Sequence, residues 1–227
     1  MIVELKDIFK SYYEGEDNPR RDILDSFNLS INFDESISIV GPSGCGKTTL
    51  LNILGTLDKP DSGEVVFNGE PVTNMNDDQL SKLRAEKIGF IFQSHHLLPQ
   101  ISVIENVTLP TLAVNPKQNN TIIFDEAETL LSEVGLKKEV YKFPSQLSGG
   151  EKQRVAIVRS LINNPNLVLA DEPTGSLDKS RGEEIIDLLK SLCVNNQTSL
   201  VVVTHDIEIA SQMKRRLCFK NFDFIES

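Results

Sequence analysis

Hydrophobic and polar positions along this chain fall into two kinds of run. Short runs that are apolar at most or alternate positions predict strands at Val3–Ile8, Ser36–Val40, Glu64–Phe67, Lys87–Phe92, Asn166–Ala170 and Ser199–Thr204. Longer runs repeat apolar residues every three or four positions. They predict helices at Lys47–Leu57, Asp77–Arg84, Val103–Leu109, Phe124–Val134, Gly150–Asn163, Arg181–Val194 and Asp206–Gln212. Two strand segments, Ile-Val-Gly at 39–41 and Asn-Leu-Val-Leu-Ala-Asp at 166–171, are nearly continuously apolar, as suits strands covered on both faces. Strands that lead through short turns into helices predict an α/β layered sheet. The stretch from about 94 to 147 is mostly helical and has no convincing strand, so it reads as a helical subdomain inserted into the sheet domain. The polar stretch Asn115–Thr121 reads as a surface loop.

Composition narrows the class. A chain of 227 residues suits one large domain, or one domain with a subdomain. A net charge of −10 argues against free nucleic acid as the main partner. The basic stretch Lys214-Arg215-Arg216 reads as a solvated helix end or a rim contact. Cys45, Cys193 and Cys218 lie far apart with no CxxC pair, which points to a reducing compartment and no zinc site. The N-terminal residues lack an apolar signal core, and no run of about 18 apolar residues occurs, so a cytoplasmic chain is expected. Any membrane role then needs another subunit.

The chemistry starts at Gly41-Pro42-Ser43-Gly44-Cys45-Gly46-Lys47-Thr48, which matches G-x-x-x-x-G-K-[ST] between a strand and a helix. Its glycines let successive N–H groups turn inward around a β-phosphate. The helix that follows, with Thr49 in its first turn, points its positive end at the same anion. Lys47 supplies a cation for the β- and γ-phosphates, and Thr48 a hydroxyl for Mg²⁺. The expected ligand is MgATP.

Two further strand ends carry candidate catalytic groups. Asp171 and Glu172 close an apolar strand, where open α/β sheets bind ligands. Asp171 is placed to hold Mg²⁺ through water, and Glu172 is the natural base for an attacking water. His205 ends the strand at Ser199–Thr204 and could contact the γ-phosphate or orient water. His95 and His96 read as loop or interface residues. A second glycine-rich helix start, Leu147-Ser148-Gly149-Gly150-Glu151-Lys152-Gln153, offers Ser148, Gly149 and Gly150 to another anion. One nucleotide loop with two γ-phosphate sensors suggests that one sensor serves another chain's nucleotide.

Taken together, these motifs make the chain resemble the ATP-binding cassette (ABC) ATPases over essentially its whole length. GPSGCGKT, Phe92-Gln93, LSGGEKQ, LADEP, SLD at 176–178 and His205 stand in the family's order. The resemblance implies one cassette over 1–227. Its catalytic core spans 1–93 and 148–227 with an N-terminal antiparallel β part, and the helical subdomain spans 94–147. It implies that Gln93 touches Mg²⁺ and senses a membrane subunit, that Asp178 links two sites, and that Tyr12 stacks on adenine, with Tyr13 as the alternative. It also implies a head-to-tail dimer of two copies around two ATPs. Leu-Asn-Ile-Leu-Gly-Thr-Leu-Asp58 and Phe-Gln-Ser-His-His-Leu-Leu-Pro99 resemble the lipoprotein-releasing branch, close to macrolide-export and cell-division cassettes. That branch implies permease subunits of LolC/LolE type, a peripheral position on the cytoplasmic face of the inner membrane, and no direct contact with cargo. Cys45 and Thr48 stand where serines are commoner, and Glu151 where many relatives carry glutamine. The residues from Cys218 to Ser227 fit the family's terminal hairpin poorly.

Competing classes explain less. Soluble cassettes of DNA repair or translation usually carry two cassettes or large insertions, which this chain lacks. A small-molecule kinase with the same loop leaves LSGGEKQ and Glu172 unexplained. Leu97, Leu98 and Pro99 are either subdomain core or a docking groove for a partner helix.

Overall fold

The computed structural model describes residues 1–13, 20–115, 120–220 and 223–226. The strands are β1 (Val3–Tyr13), β2 (Arg20–Ile31), β3 (Ser36–Val40), β4 (Ser62–Phe67), β5 (Glu70–Pro71), β6 (Ile88–Phe92), β7 (Leu167–Asp171), β8 (Ser199–Thr204), β9 (Arg215–Lys220) and β10 (Asp223–Glu226). The helices are α1 (Lys47–Leu54), α2 (Asp77–Lys87), α3 (Val103–Val114), α4 (Asn120–Glu133), α5 (Gly149–Leu161), α6 (Lys179–Asn195) and α7 (Ile207–Ser211), with a 3₁₀ turn at Pro144–Gln146. This is the expected α/β class. Two compact units form, Met1–Leu80 with Ser199–Ser227, and Ser81–Thr198.

In the first unit, β2, β1, β4 and β5 make an antiparallel sheet. Strand β3 lies parallel to both β8 and β9. Its pairing with β8 runs from Ser36↔Leu200 to Val40↔Thr204, so the residues after both strands emerge at one edge. All of β8 is buried, and Val201, Val202 and Val203 each contribute about 1.5–3 kcal/mol by leaving water. Ser38, a polar residue inside β3, is fully buried and donates to the Ala210 carbonyl at 2.9 Å. Helix α1 covers this ladder with Leu50, Leu51, Ile53 and Leu54. It stops three residues before the expected Leu57, because Gly55 caps it and Thr56 turns left-handed (φ 55°).

Three expectations change here. β2 went unpredicted, since charged and polar residues interrupt its apolar positions and its pairing with β1 shifts register three times. Lys214-Arg215-Arg216 is no helix end. Arg215 and Arg216 begin β9, and the cations grip carbonyls: Arg215 Nη1 donates to Ser30 O at 2.8 Å, and Lys214 Nζ to Asp34 O at 2.9 Å. The terminal hairpin also forms, with β9 and β10 paired antiparallel from Asp223↔Lys220 to Glu226↔Leu217.

In the second unit, β6 and β7 pair in parallel from Ile88↔Leu167 to Phe92↔Asp171. Helix α5 buries Val155, Ala156, Ile157 and Val158. The expected helical stretch holds α3, α4 and the 3₁₀ turn, with no strand among the described residues. A capping box between Ser102 and Glu105 starts α3. The helix passes through Pro110 to Val114, beyond the Leu109 stop that a proline signals. Of the expected loop Asn115–Thr121, Asn120 and Thr121 begin α4 and residues 116–119 lie outside those described. Among the described residues no helix is long and apolar enough to cross a membrane.

One buried amide organises the segment after β6. Asn106, fully buried, accepts from Leu98 N at 2.8 Å and donates to the carbonyls of Leu98, Ile101 and Ser102 at 3.1, 3.2 and 3.0 Å. Removing it strands those groups. Asn106→Ala should lower unfolding free energy by about 1–3 kcal/mol in denaturant titrations; an unchanged midpoint would contradict this role.

Candidate active site

The first unit presents a cleft of about 260 Å³ lined by Tyr12, Arg21, Ile23, Gly44, Gly46, Lys47, Thr48 and Thr49. Its floor is the turn from β3 into α1. Gly44 and Gly46 take left-handed backbone angles (φ 77° and 103°), which turn the loop's N–H groups toward one point. A side chain at Gly46 would meet Ile23 Cγ2 at 2.5 Å, so both backbone angle and space demand glycine. Arg21, which also lines the cleft, fixes the turn: its Nη2 donates to the Gly44 carbonyl at 2.8 Å. Lys47 is buried, and its ammonium donates to the carbonyls of Gly41 and Pro42 at 2.8 and 2.9 Å. The cation therefore lies along the loop itself. Ser43 is exposed, while Cys45 is 7% exposed and packs inward. Tyr12 is 40% exposed and shares the cleft with the loop. Tyr13 belongs to β1, but its side chain lies outside the described residues. His205 follows β8 beside the loop edge, by the Val40↔Thr204 register.

The second unit gathers the remaining groups. Gln93 follows β6 and Asp171 ends β7, at paired positions one residue apart. Glu172 has φ 46°, a left-handed angle costing a non-glycine residue about 1–2 kcal/mol. A turn holds it there, with Gly175 N donating to Glu172 O at 3.0 Å. The Gln93 side chain lies against Gly175, where an added Cβ would stand 2.8 Å from Gln93 Nε2. Asp178 caps α6, its Oδ1 accepting from Arg181 N at 3.1 Å.

Ser148 caps α5 through a reciprocal capping box with Glu151. Its N–H and hydroxyl donate to Glu151 Oε2 at 2.7 and 2.6 Å. Those two bonds hold the Glu151 carboxyl below the usual carboxylate value. The charged Glu151 thus fixes Ser148 while Gly149 and Gly150 present the helix's first turn.

Arg159 was not singled out by sequence. From α5 its guanidinium donates to the carbonyls of His95 and His96, each at 2.6 Å. Both histidines are left-handed (φ 60° and 49°), so the arginine clamps a strained turn. His96 stacks on Phe92 at 4.9 Å between ring centroids. Burial, with Lys152 and Arg159 nearby, holds the His95 imidazole below its ordinary value. Leu98, in the following segment, is 44% exposed and Pro99 is exposed, so neither is core. The clamp, Gly175 and Arg21 are long-range contacts with no local sequence signal.

Among the described residues no cluster of three or more His, Cys, Asp or Glu could cage a metal. The Thr48 hydroxyl and Asp171 carboxylate are hard oxygen donors. Each is of the kind that suits Mg²⁺, which keeps several waters and takes phosphate oxygens rather than an all-protein cage.

A sequence profile of the ABC transporter family matches residues 24–175. The lipoprotein-releasing system ATP-binding protein LolD of Shewanella oneidensis is 42% identical over 221 residues, 97% of this chain and 94% of that protein. The protein of the same name from Shewanella frigidimarina is 42% identical over 220 residues, 97% of this chain and 90% of its own. Among solved structures, the dimeric ATP-binding cassette MJ0796 bound to ADP and Pi has a TM-score of 0.90 and 41% identity, covering 100% of this chain and 98% of that one. CbiO1 from Clostridium perfringens, part of the ABC transporter complex cbiONQ, has a TM-score of 0.84 and 29% identity, covering 99% and 86%.

The Gly175–Gln93 contact gives a direct test. Gly175→Ala meets only the end of a flexible side chain, so Gln93 should move while the fold holds. ATPase activity should fall on the order of tenfold with an unchanged melting temperature; wild-type turnover would contradict a role for Gln93.

Proposed function

The chain belongs to the ATP-binding family of ABC transporters, and we propose that it powers a transporter that releases lipoproteins from a membrane. It binds ATP and is an ATPase. The observation that carries the catalytic reading is the Gly41–Thr48 loop, with its left-handed glycines and the Lys47 ammonium lying along it. The cargo reading is supported by likeness to LolD proteins along 97% of the chain.

The roles follow from chemistry. Loop amides from Gly41 to Thr49 take the phosphates, with Lys47 neutralising charge on the β- and γ-groups. Tyr12 is the platform for adenine. Thr48 and Asp171, with Gln93 as a further oxygen donor, would hold Mg²⁺, which would supply charge neutralisation on the phosphate oxygens. Glu172 takes a proton from the attacking water as its oxygen bonds to the γ-phosphorus; the bridging bond breaks and ADP leaves. The His205 imidazole orients the γ-phosphate or the water.

Ser148, Gly149 and Gly150 have a different nucleotide. A second copy, head to tail, brings them to the γ-phosphate held by the first copy's loop, and Asp178 joins the two sites. The dimeric state of the related cassette MJ0796 supports this arrangement. Residues 94–147 act as the helical subdomain. Exposed Leu98 and Pro99, after Gln93, dock a cytoplasmic helix of a LolC/LolE-type permease. The Arg159 clamp ties that docking segment to the helix headed by Ser148, so permease movement and nucleotide contact are mechanically linked. The chain then sits peripherally on the cytoplasmic face of the inner membrane, and cargo is contacted by the permease.

Glu172→Gln should bind ATP with near wild-type affinity, lose turnover by about 10²–10⁴-fold, and accumulate as an ATP-dependent dimer in sedimentation. Full ATPase activity would reject Glu172 as base; a permanently monomeric variant would reject the shared site. Recovery of permease subunits with a large external domain alongside the chain tests the lipoprotein reading; recovery of soluble partners alone would overturn it.

A further inference from the structure

The Tyr12 ring is tied on several sides. Its hydroxyl donates to Asp58 Oδ2 at 2.6 Å, and the Thr49 side chain hydrogen-bonds to the same phenol. Lys10, 8% exposed, donates to Asp58 Oδ1 at 2.8 Å and to the Lys59 carbonyl at 2.7 Å. The same ammonium lies 5.1 Å from the Tyr12 ring centroid. One residue earlier, Ser11 is fixed by Asp61 Oδ2, which accepts from its N–H at 2.9 Å and its hydroxyl at 2.8 Å.

Asp58 stands where these ties meet. It follows α1, whose first turn holds Lys47, Thr48 and Thr49, and it grips two alternate residues of β1. Burial pushes its carboxyl up, but hydrogen bonds from Lys10 and Tyr12 outweigh that and hold it below the usual carboxylate value. Burial and the Asp58 bond raise the Tyr12 phenol above its ordinary value, so it remains an O–H donor at neutral pH. The Lys10 ammonium engages the ring as a cation–π partner, while Tyr12 stays 40% exposed at the cleft.

We propose that Asp58 is the positioning residue for the nucleotide base: through the Tyr12 hydroxyl it sets the ring at a fixed place relative to the phosphate loop. The proposal rests on Tyr12 being the adenine platform. A ring already ordered spares ATP the entropy of fixing it, so the effect belongs to base binding and not to phosphate binding. A bland alternative is that Asp58 only neutralises buried Lys10. The two differ in which part of the nucleotide feels the change.

Calorimetric titration of the full chain with ATP and, separately, with inorganic tripolyphosphate distinguishes them. Asp58→Asn removes the charge at the junction. Tyr12→Phe removes only the hydroxyl and leaves the Lys10–Asp58 pair intact, so it keeps the test open if the first variant folds poorly. Each should weaken ATP about three- to tenfold, the double variant should lose no more than either single one, and tripolyphosphate affinity should not move. Equal losses for ATP and tripolyphosphate would overturn the proposal, since Asp58 would then support the loop generally. Tyr12→Ala serves as the reference. If it weakens ATP while Tyr12→Phe and Asp58→Asn do not, the positioning role fails and the platform stands. If Tyr12→Ala leaves ATP affinity unchanged, the platform reading itself is wrong.

Discussion

A triphosphate concentrates negative charge in a small volume, and a protein can hold it in place only with donors fixed before it arrives. The first unit is built around that demand. Backbone N–H groups converge at the turn from β3 to α1 because Gly44 and Gly46 accept left-handed angles. Ile23 leaves no room for a side chain at Gly46, and Arg21 holds the Gly44 carbonyl. Beneath the turn, β3 is locked between β8 and β9 in continuous parallel register. The fully buried β8 gives the loop a rigid base, since movement of β3 would expose apolar surface. Tyr12, held by Asp58, is proposed to extend the same preorganisation from the phosphates to the base.

Both units hold non-glycine residues at left-handed angles, Thr56 and Asn68 in the first among them, and those of the second include candidate-site residues. Glu172, His95 and His96 all adopt left-handed angles without being glycine. Each is held by a specific tie: the turn to Gly175, or the two Arg159 bonds. The segment after β6 is fixed at two places, by Arg159 at His95 and His96 and by Asn106 at Leu98. Through Arg159 that segment is tied to α5, the helix that Ser148 caps. The acidic Glu151 makes that cap strong, and it also sets a negative charge beside a serine proposed to meet phosphate. In the proposed dimer that charge would oppose closure, with Lys47 of the phosphate loop offsetting it.

Legibility in the sequence followed the range of the interactions. Strands β3 and β8 could be bounded from the chain alone because burial on both faces leaves an unbroken apolar run. β2 and β9 could not, because charged side chains on them are satisfied by distant carbonyls or reach solvent at the sheet's margin. Pro110 misled the reading of α3, since buried Val103, Ile104 and Val107 hold the helix together despite the missing N–H. The phosphate loop, Asp171, Glu172 and Ser148 were legible because their chemistry dictates residue type and spacing over a few positions. Arg159, Gly175, Arg21 and Asp58 were not. Each acts across tens of residues, where a lone sequence gives no signal.

On the proposed mechanism one chain holds a nucleotide but lacks part of the machinery that cleaves it. Specific ATPase activity measured against chain concentration at saturating MgATP tests this most directly. A shared site predicts that activity per chain rises steeply at low concentration and levels off as dimers form. Constant activity per chain across that range, with a monomeric mass throughout, would show that a single copy is complete and would contradict the claim.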